Sequence, residues 1–407
     1  MTDLRRRASG IVAMGALFAG CGGTQPPIAA PGVVLQSRGP GSPFSARENA
    51  HPFGASFTAG HVYRRLSIFN VKDGAGPLEL TAFDGILYGT TSGGGRYNAG
   101  TFFSLTTSGE RHTLRDFSGE NGEVSHLSVL TRLSGLLYGW TSTLCNNPSS
   151  TCGAMFSLNA SGRERIVHVF REAQQSPTSL TTLNGVLYGT TANGKDSNDG
   201  TVFSLTPSGD FHVLYRFKGA ITPSKDGAWP VSIVALNGRL YGATEYGGTN
   251  GNGTVFSVTT KGKEHVIYSF GSALSGDGAL PNGVTALHGK LYGTTFFGGK
   301  YYGCFGDPPV GCGTAFSVTT VGKEQVLYSF KEGRDGNPAT DLASLNGKLY
   351  GTTSGTLFSI TTAGTEKTLH SFYSCGCSVL TPLRGTLYGT TVGGGKYHSG
   401  TAYAFTP

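Results

Sequence analysis

Cysteines offer the first candidate chemistry in this sequence of 407 residues. Six of the seven cysteines form three pairs that are close in the chain: Cys145 with Cys152, Cys304 with Cys312, and Cys375 with Cys377. Such pairs can form disulfides in an oxidising compartment or bind a metal. No Cys-x-x-Cys segment or nearby His favours zinc, so the spacing predicts three local disulfides. Metal binding or free thiols stay open as the alternative, most of all for the short Cys375–Cys377 ring.

Carboxylates and histidines are the next groups that could do chemistry. Asp-Gly precedes a proline in four segments, at Asp73, Asp226, Asp277 and Asp335. One Asp per segment supplies too few oxygens for Ca²⁺, so these segments are interpreted as turns in which Asp accepts backbone N–H bonds. The sequence contains no His-Glu-x-x-His, Gly-x-Ser-x-Gly or phosphate-loop motif. We therefore predict no catalytic residue, cofactor or metal, although loops could still pair two distant carboxylates as in a glycosidase.

Aromatic residues in Gly-rich segments could bind a ligand by stacking. The candidates are Trp140, Trp229, Tyr246, Phe296, Phe297, Tyr301 and Tyr302. Tyr97 and Tyr397 occupy matching positions in the first and last repeats described below. Exposed aromatic rings offer contact area to sugars or to partner side chains. The alternative is that these side chains pack their loops onto the fold.

A repeat of about 50 residues must position these groups. The string Leu-Tyr-Gly-(Thr/Trp/Ala)-Thr occurs seven times, with its Tyr at positions 88, 138, 188, 241, 292, 350 and 388. A Gly three residues before each Tyr, as in Asn184-Gly185, predicts a hairpin turn with positive φ at both central residues. A Phe-containing strand, a second turn and a strand that ends in Phe follow. Each unit is thus predicted to be a meander of four strands, a to d.

The count of strands indicates a closed ring. Strand d occurs first at Val62–Phe69, before any Leu-Tyr-Gly unit, and the last unit stops after strand c. Pairing these two ends removes two free sheet edges. We predict an all-β, seven-bladed β-propeller over residues 61–407, with an open solenoid or a blade count off by one as the alternatives. The loops from b to c and from d to the next a then share one face, the long-loop face, and the hairpin turns share the other, the turn face.

The N-terminal segment predicts export. Arg5–Arg7 precede an apolar stretch, Ile11–Gly20, that is too short to span a membrane. The end of this stretch, Ala19-Gly20-Cys21, resembles the bacterial lipoprotein lipobox. We therefore expect residues 1–20 to be a signal peptide, Cys21 to be lipidated, and residues 21–60, rich in Pro, Gly and Ser, to be a disordered tether. An ordinary signal or short anchor is the alternative.

Composition narrows the class of protein further. The 65 Gly and 18 Pro argue against long helices, and the 11% aromatic content argues against disorder. The net charge of +7 is spread without a basic run, so no nucleic-acid binding is expected.

The segment 184–209 resembles the bacterial GloVer tandem repeat and, more distantly, kelch blades. Its motif is Asn-Gly-x-Leu-Tyr-Gly-Thr-Thr followed by Gly-Thr-Val-Phe-Ser-Leu-Thr-Pro-x-Gly. The resemblance implies repeat architecture and export, and it brings no catalytic residues. We expect a monomeric, lipid-anchored protein of the cell envelope that is not an enzyme and that binds a glycan or protein through its long-loop face. A secreted enzyme acting on glycans and a purely structural repeat protein are the alternatives.

Overall fold

The computed structural model describes residues 61–118, 130–142, 151–171, 177–192, 199–219, 226–272, 274, 276–301, 303–304, 311–331, 340–372 and 377–407. These residues belong to one compact unit, Gly60–Pro407. They form seven antiparallel sheets of four strands, and they include no helix. The predicted seven-bladed β-propeller is confirmed.

Blades 1 to 3, each from strand a to strand d, are β2 (Ala75–Phe83), β3 (Ile86–Gly93), β4 (Thr101–Leu105), β5 (Arg111–Asp116); β6 (Thr131–Leu133), β7 (Leu136–Ser142), β8 (Thr151–Leu158), β9 (Glu164–Arg171); β10 (Pro177–Leu183), β11 (Val186–Thr191), β12 (Thr201–Leu205), β13 (Phe211–Arg216). Blades 4 to 6 are β14 (Ala228–Leu236), β15 (Arg239–Tyr246), β16 (Thr254–Val258), β17 (Glu264–Ser269); β18 (Gly278–Leu287), β19 (Lys290–Gly298), β20 (Thr314–Thr319), β21 (Glu324–Ser329); β22 (Ala343–Leu345), β23 (Lys348–Thr352), β24 (Thr356–Ile360), β25 (Glu366–Ser371). Blade 7 is β26 (Thr381–Leu383), β27 (Thr386–Thr391), β28 (Thr401–Thr406) and, as its strand d, β1 (Val62–Ile68).

The glycine of Leu-Tyr-Gly creates the space in which each blade seats an aromatic ring. Gly189 pairs with Phe203 across β11 and β12. A Cβ on Gly189 would lie 2.7 Å from Phe203 Cε1 and 2.8 Å from Leu180 Cδ2. The glycine therefore lets a strand c aromatic lie over the backbone of strand b, and the same pairing recurs in every blade.

Threonines join strands b and c beneath the long loops. The second Thr of the repeat string bonds through its hydroxyl to a Thr at the start of strand c in six blades, as in Thr191 to Thr201 at 2.8 Å and Thr391 to Thr401 at 2.9 Å. Both members are buried. One hydroxyl of each pair thus donates to the other, so two buried polar groups have a partner, which explains why the repeat keeps Thr there.

The hydrophobic core is divided into seven layers, one between each pair of neighbouring blades. The layer between blades 3 and 4, for example, contains Tyr188, Phe217, Ile233 and Phe256. Strands a contact each other around a central channel, and Thr hydroxyls there bond the backbone of the next blade, as Thr81 does to Leu130 O at 2.5 Å. Blades are therefore held to their neighbours by both apolar and polar contacts.

Strand β1 closes the ring as predicted. It pairs antiparallel with β28, from Val62 opposite Thr406 to Ile68 opposite Thr401. The Tyr63 ring stacks on His370 of blade 6 with centroids 4.0 Å apart, and the fully buried Phe69 packs edge-on to Phe103 of blade 1. The N-terminal strand therefore fastens the last blade to both of its neighbours.

Candidate functional site

The loops of the long-loop face are held in fixed conformations. In blade 1, Gly94 and Gly95 have φ of 75° and 79°, and Gly100 N–H donates to Gly94 O at 3.1 Å. The equivalent bond in blade 7 joins Gly400 to Gly394 at 3.2 Å. Only glycine adopts such φ values without strain, so the Gly-Gly pair sets the loop shape. The residues that follow it are thereby presented in the same way in different blades.

Exposed tyrosines follow these glycine pairs in blades 1, 5 and 7. The motif Gly-Gly-(Arg/Lys)-Tyr places Tyr97, Tyr301 and Tyr397 at matching positions, and they are 52%, 42% and 52% exposed. They are the exposed tyrosines of the described chain. A cation lies over each ring: Arg96 at 5.4 Å, Lys331 at 4.6 Å and Lys396 at 5.4 Å from the centroids. Each of these tyrosines therefore combines an aromatic surface with an adjacent positive charge.

Trp229 and Leu280 lie in strained backbone conformations on the same face. Their φ values are 57° and 54°, whereas blade 1 has Gly76 at this position. Each residue precedes a proline, and each N–H donates to a loop carbonyl of the preceding blade, as Trp229 does to Asp199 O at 2.9 Å. A bulky residue with positive φ costs about 1 to 3 kcal/mol and persists only where its surroundings enforce it. Such strain is a reason to look for a function there.

Trp229 belongs to an aromatic group on blades 4 and 5. It packs edge-on against Tyr246, with ring centroids 5.5 Å apart. Burial, followed by the neighbouring Glu245, raises the pKa of Tyr246 to about 12. Phe296 and Phe297 contact each other at 4.8 Å in the next blade. All four side chains are partly buried, so they line the face rather than project from it.

Trp140 is not available to a ligand. It lies in β7 and is 7% exposed, packed with Met155 and Leu187 between blades 2 and 3. It replaces the first Thr of the repeat string, a position inside the ring, and therefore belongs to the core. Tyr302, the remaining predicted aromatic residue, lies outside the described residues.

The cysteine predictions fall partly within the described chain. A disulfide joins Cys304 and Cys312, with Cα atoms 5.2 Å apart, in the long loop of blade 5. Cys152 lies in β8, and the buried Cys377 forms an isolated β-bridge with Thr391. Cys21, Cys145 and Cys375 lie outside the described residues, so lipidation and the other two disulfides stay predictions.

Asp226 and Asp277, from two of the Asp-Gly segments, hold the loops that precede strands a of blades 4 and 5. Asp226 accepts hydrogen bonds from Tyr215 Oη at 2.6 Å and from the Lys218 N–H at 3.2 Å. Asp277 accepts from Tyr268 Oη at 2.8 Å and from the Gly271 N–H at 2.6 Å. Within the described residues, no group of three or more His, Cys, Asp or Glu side chains could hold a metal. Asp335 lies outside the described part.

Four buried carboxyl groups were not predicted from the sequence. Two lie at blade junctions, where burial raises the pKa of Glu264 and Glu324 to about 7, with Asp226 and Asp277 respectively adding to the effect. The other two are Glu79 in β2 and Asp341 just before β22, where burial raises the pKa of Glu79 to about 8 and of Asp341 to about 7. A sequence gives no direct signal for such groups, because their burial depends on how neighbouring strands and blades pack around them.

A cavity of about 260 Å³ lies between blade 6 and the segments at His61 and Pro407, and its lining includes Lys348 and Lys367. Its lining carries none of the predicted aromatic residues.

Among the described residues there is no helix with the length and apolar character to cross a membrane.

Comparison with a repeat-family profile identifies the family to which this chain is related. The Gloeobacter/Verrucomicrobia repeat matches residues 53–236 and 223–403. The chain belongs to this repeat family. The family prediction made from the Leu-Tyr-Gly motif is therefore confirmed. No functionally curated protein matches the chain.

Solved structures show the same fold at low sequence identity. A streptogramin B lyase is 17% identical, with a TM-score of 0.58 over 85% of this chain and 97% of the lyase. A catalytically inactive virginiamycin B lyase from Staphylococcus aureus, solved with quinupristin, is 13% identical, with a TM-score of 0.58 over 85% and 99% of the two chains. At such identities the likeness concerns the fold alone, and members of one fold can differ in function.

Proposed function

We propose that this member of the repeat family is a non-enzymatic, lipid-anchored protein of the cell envelope that binds an acidic glycan through its long-loop face. The observation that carries the proposal is the recurrence of an exposed tyrosine with a cation over its ring, at Tyr97, Tyr301 and Tyr397. A tyrosine ring offers an apolar face to a sugar ring and a hydroxyl to its polar groups. The adjacent cation offers a partner to a carboxylate.

The repeated arrangement favours a polymer over a small molecule. Matching loops in blades 1, 5 and 7 would contact repeated units of one chain, and several weak contacts on one molecule add to a high avidity. The fixed loop conformations reduce the entropy that binding costs. An acidic polysaccharide has both features that the loops would recognise, sugar rings and regularly spaced negative charges.

A binding assay with matched polymers tests this proposal. Polygalacturonate should bind the purified chain more tightly than a neutral dextran of equal length, and salt should weaken the binding because exposed charges contribute. Tyr97→Ala with Tyr397→Ala should reduce affinity for polygalacturonate at least tenfold. Arg96→Gln with Lys396→Gln should remove the preference for the acidic polymer.

Val321→Ala is the matched control, because Val321 is 90% exposed at a hairpin turn on the turn face. It should bind like the unchanged protein. If the tyrosine variant bound polygalacturonate as tightly as the unchanged protein, the long-loop face would not be the binding surface. Release of shortened sugar chains during the assay would favour the alternative, an enzyme that acts on glycans.

The anchoring part of the proposal rests on the N-terminal sequence. Arg5–Arg7, the apolar stretch Ile11–Gly20 and Cys21 have the order that a lipoprotein signal requires. Cys21→Ala should move the exported protein from the membrane to the soluble fraction. Retention of an exported, processed Cys21→Ala protein in the membrane would contradict this part alone.

A further inference from the structure

The turn face carries a concentration of positive charge that glycan binding on the opposite face does not use. Seven basic side chains of blades 4 to 6 are exposed in or beside the hairpin turns: Arg239, Lys261, Lys263, Lys290, Lys323, Lys348 and Lys367. The same turns, all within the described chain, contain no exposed Asp or Glu. These residues are spread along the sequence, and the ring brings them to one surface, which we call the basic arc.

The basic arc belongs to three neighbouring blades and is not a general property of the repeat. In blade 5 a lysine follows the glycine of both turns, at Lys290 and Lys323, whereas blade 1 has Ile86 and Glu110 at these positions. The turns themselves are alike, because the backbone bond that closes the second turn is 3.0 Å long at Lys323 and 2.8 Å long at Glu110. The fold therefore does not require the lysines.

The acids of the same turns are partly withdrawn from the surface. Glu264, Glu324 and Glu366 are the first residues of their strands d, and all three are half-buried. Burial raises the pKa of Glu264 and of Glu324 to about 7. No described carboxylate forms an ion pair with a member of the basic arc. The arc therefore presents its positive charge to solvent or to a partner.

Blade 6 adds a cavity to the basic arc. The cavity of about 260 Å³ is lined by Lys348 and Lys367, by Asn346 of the hairpin turn and by His61. Lys367 Nζ lies 3.4 Å from His61 Nε2, and the lining contains no Asp or Glu side chain. Ammonium groups donate strong, charge-assisted hydrogen bonds to phosphate oxygens. This lining therefore suits a phosphate group.

The N-terminal strand begins at the same face. Val62, the first residue of β1, lies opposite Thr406 at the turn-face end of blade 7. His61 precedes it and lines the cavity beside blade 6. The predicted tether, residues 21–60, is covalently connected to this point. A lipid on Cys21 would therefore be attached to the propeller on the side of the basic arc.

We propose that the basic arc docks onto the surface of a bilayer that is rich in anionic phospholipids. The inference rests on the proposed lipid anchor, which would keep the arc close to such a surface so that weak contacts suffice. Lys and Arg side chains within a Debye length of anionic headgroups are attracted to them, and a basic patch strengthens anchoring by a lipid chain. Docking in this way would direct the long-loop face away from the membrane, toward a glycan.

Sedimentation with lipid vesicles tests the docking without the anchor. The exported and processed Cys21→Ala chain carries no lipid, so its binding reports the basic arc alone. It should bind vesicles of phosphatidylglycerol mixed with phosphatidylcholine but not vesicles of phosphatidylcholine, and salt should weaken the binding. Lys290→Gln with Lys348→Gln, in this chain, should lower the affinity for the anionic vesicles at least tenfold. Its melting temperature should be unchanged, because both side chains are exposed.

Arg96→Gln with Lys396→Gln is the matched control, because it removes two charges from the long-loop face and should leave vesicle binding unchanged. The Lys290→Gln, Lys348→Gln variant should in turn bind polygalacturonate like the unchanged protein. Equal binding to the two kinds of vesicle, or equal losses in the two variants, would overturn the docking surface. A turn-face variant that lost binding to polygalacturonate but not to vesicles would assign the arc to the polymer and would also overturn it.

A high-salt wash of cell membranes separates this proposal from the proposed anchor. Salt releases a protein that is held by exposed charges alone, whereas it does not release one that is held by a lipid. Retention of the Cys21→Ala protein after the wash would therefore contradict the anchor, whereas failure of the vesicle assay would contradict only the docking.

Discussion

Two regions of this propeller, the interior between the blades and the long-loop face, differ in how much the amino-acid sequence varies from repeat to repeat. Between the blades, strand c places an aromatic ring opposite the glycine of Leu-Tyr-Gly in every repeat, from Phe103 in blade 1 to Tyr403 in blade 7. On the long-loop face, the position of Tyr97 is Tyr in blades 5 and 7 but Asn250 in blade 4. The interior is constrained because each blade must fit the next, whereas the face is free to differ. Function should therefore be sought where the repeats diverge.

Removal of the closing strand should have the largest effect, because it breaks the interior arrangement. Deletion of residues 61–70 removes Tyr63 and Phe69 and exposes the edge of β28. Each large apolar side chain taken from the core costs about 1.5 to 3 kcal/mol, against a total domain stability of about 5 to 15 kcal/mol. Thermal unfolding should show a much lower melting temperature or aggregation.

The control for this deletion is the removal of residues 22–55 from the predicted tether. This shorter chain should melt at the same temperature as the unchanged protein. If both deletions had equal melting temperatures, β1 would not be needed for closure.

A single methyl group in the interior should have the next largest effect. Gly189→Ala places a Cβ against the ring of Phe203, and overpacking of this kind costs about 1 to 3 kcal/mol. Gly393→Ala is the matched control on the long-loop face, since no atom lies within 4 Å of its Cβ position. Urea unfolding should show a loss of stability for Gly189→Ala and a change below about 0.5 kcal/mol for Gly393→Ala. Equal losses would show that the two regions are equally constrained.

The interior architecture could be predicted from the sequence, and the burial of particular carboxyls could not. Seven copies of Leu-Tyr-Gly, with a turn glycine before each, determine the strands, the meander and the number of blades. The raised pKa values of Glu79 and Asp341 depend on how the folded blades surround these carboxyls, and no spacing rule in the sequence indicates such burial. For Trp140, in contrast, the sequence held a signal that was not used. An aromatic side chain suggested a ligand-binding loop, but the residue occupies the first Thr position of the repeat string, which lies in the interior.

Buried carboxyls should make the stability of the folded protein depend on pH. The pKa of Glu264 and of Glu324 is raised to about 7 by burial, against about 4.3 for an unfolded Glu. The folded state therefore binds more protons than the unfolded state between these values. Stability should fall as the pH rises from about 4.5 to about 7, by less than the roughly 1.4 kcal/mol per pH unit of a fully buried group, because solvent screens these partly exposed carboxyls.

Glu264→Gln with Glu324→Gln should reduce this slope in urea unfolding experiments. Glu110→Gln, an exposed acid on the turn between strands c and d, should leave the slope unchanged. A slope that is the same in all three proteins would mean that these buried groups do not bind the extra protons.

Replacement of the strained tryptophan should have the smallest effect on stability. Trp229→Gly introduces the residue that blade 1 has at this position and relieves a positive φ that costs about 1 to 3 kcal/mol. The change also removes the edge contact with Tyr246, which is worth about 0.5 to 1.5 kcal/mol beyond its buried area. The partly buried indole also covers apolar area, worth less than the roughly 1.5 to 3 kcal/mol of a fully buried side chain. Because these losses oppose the relief of strain, urea unfolding should show a net change of no more than about 2 kcal/mol. Polygalacturonate binding should nevertheless weaken if the aromatic group of blades 4 and 5 extends the proposed surface. A loss of several kcal/mol without any change in binding would instead place Trp229 with the interior of the ring, where the repeat does not tolerate change.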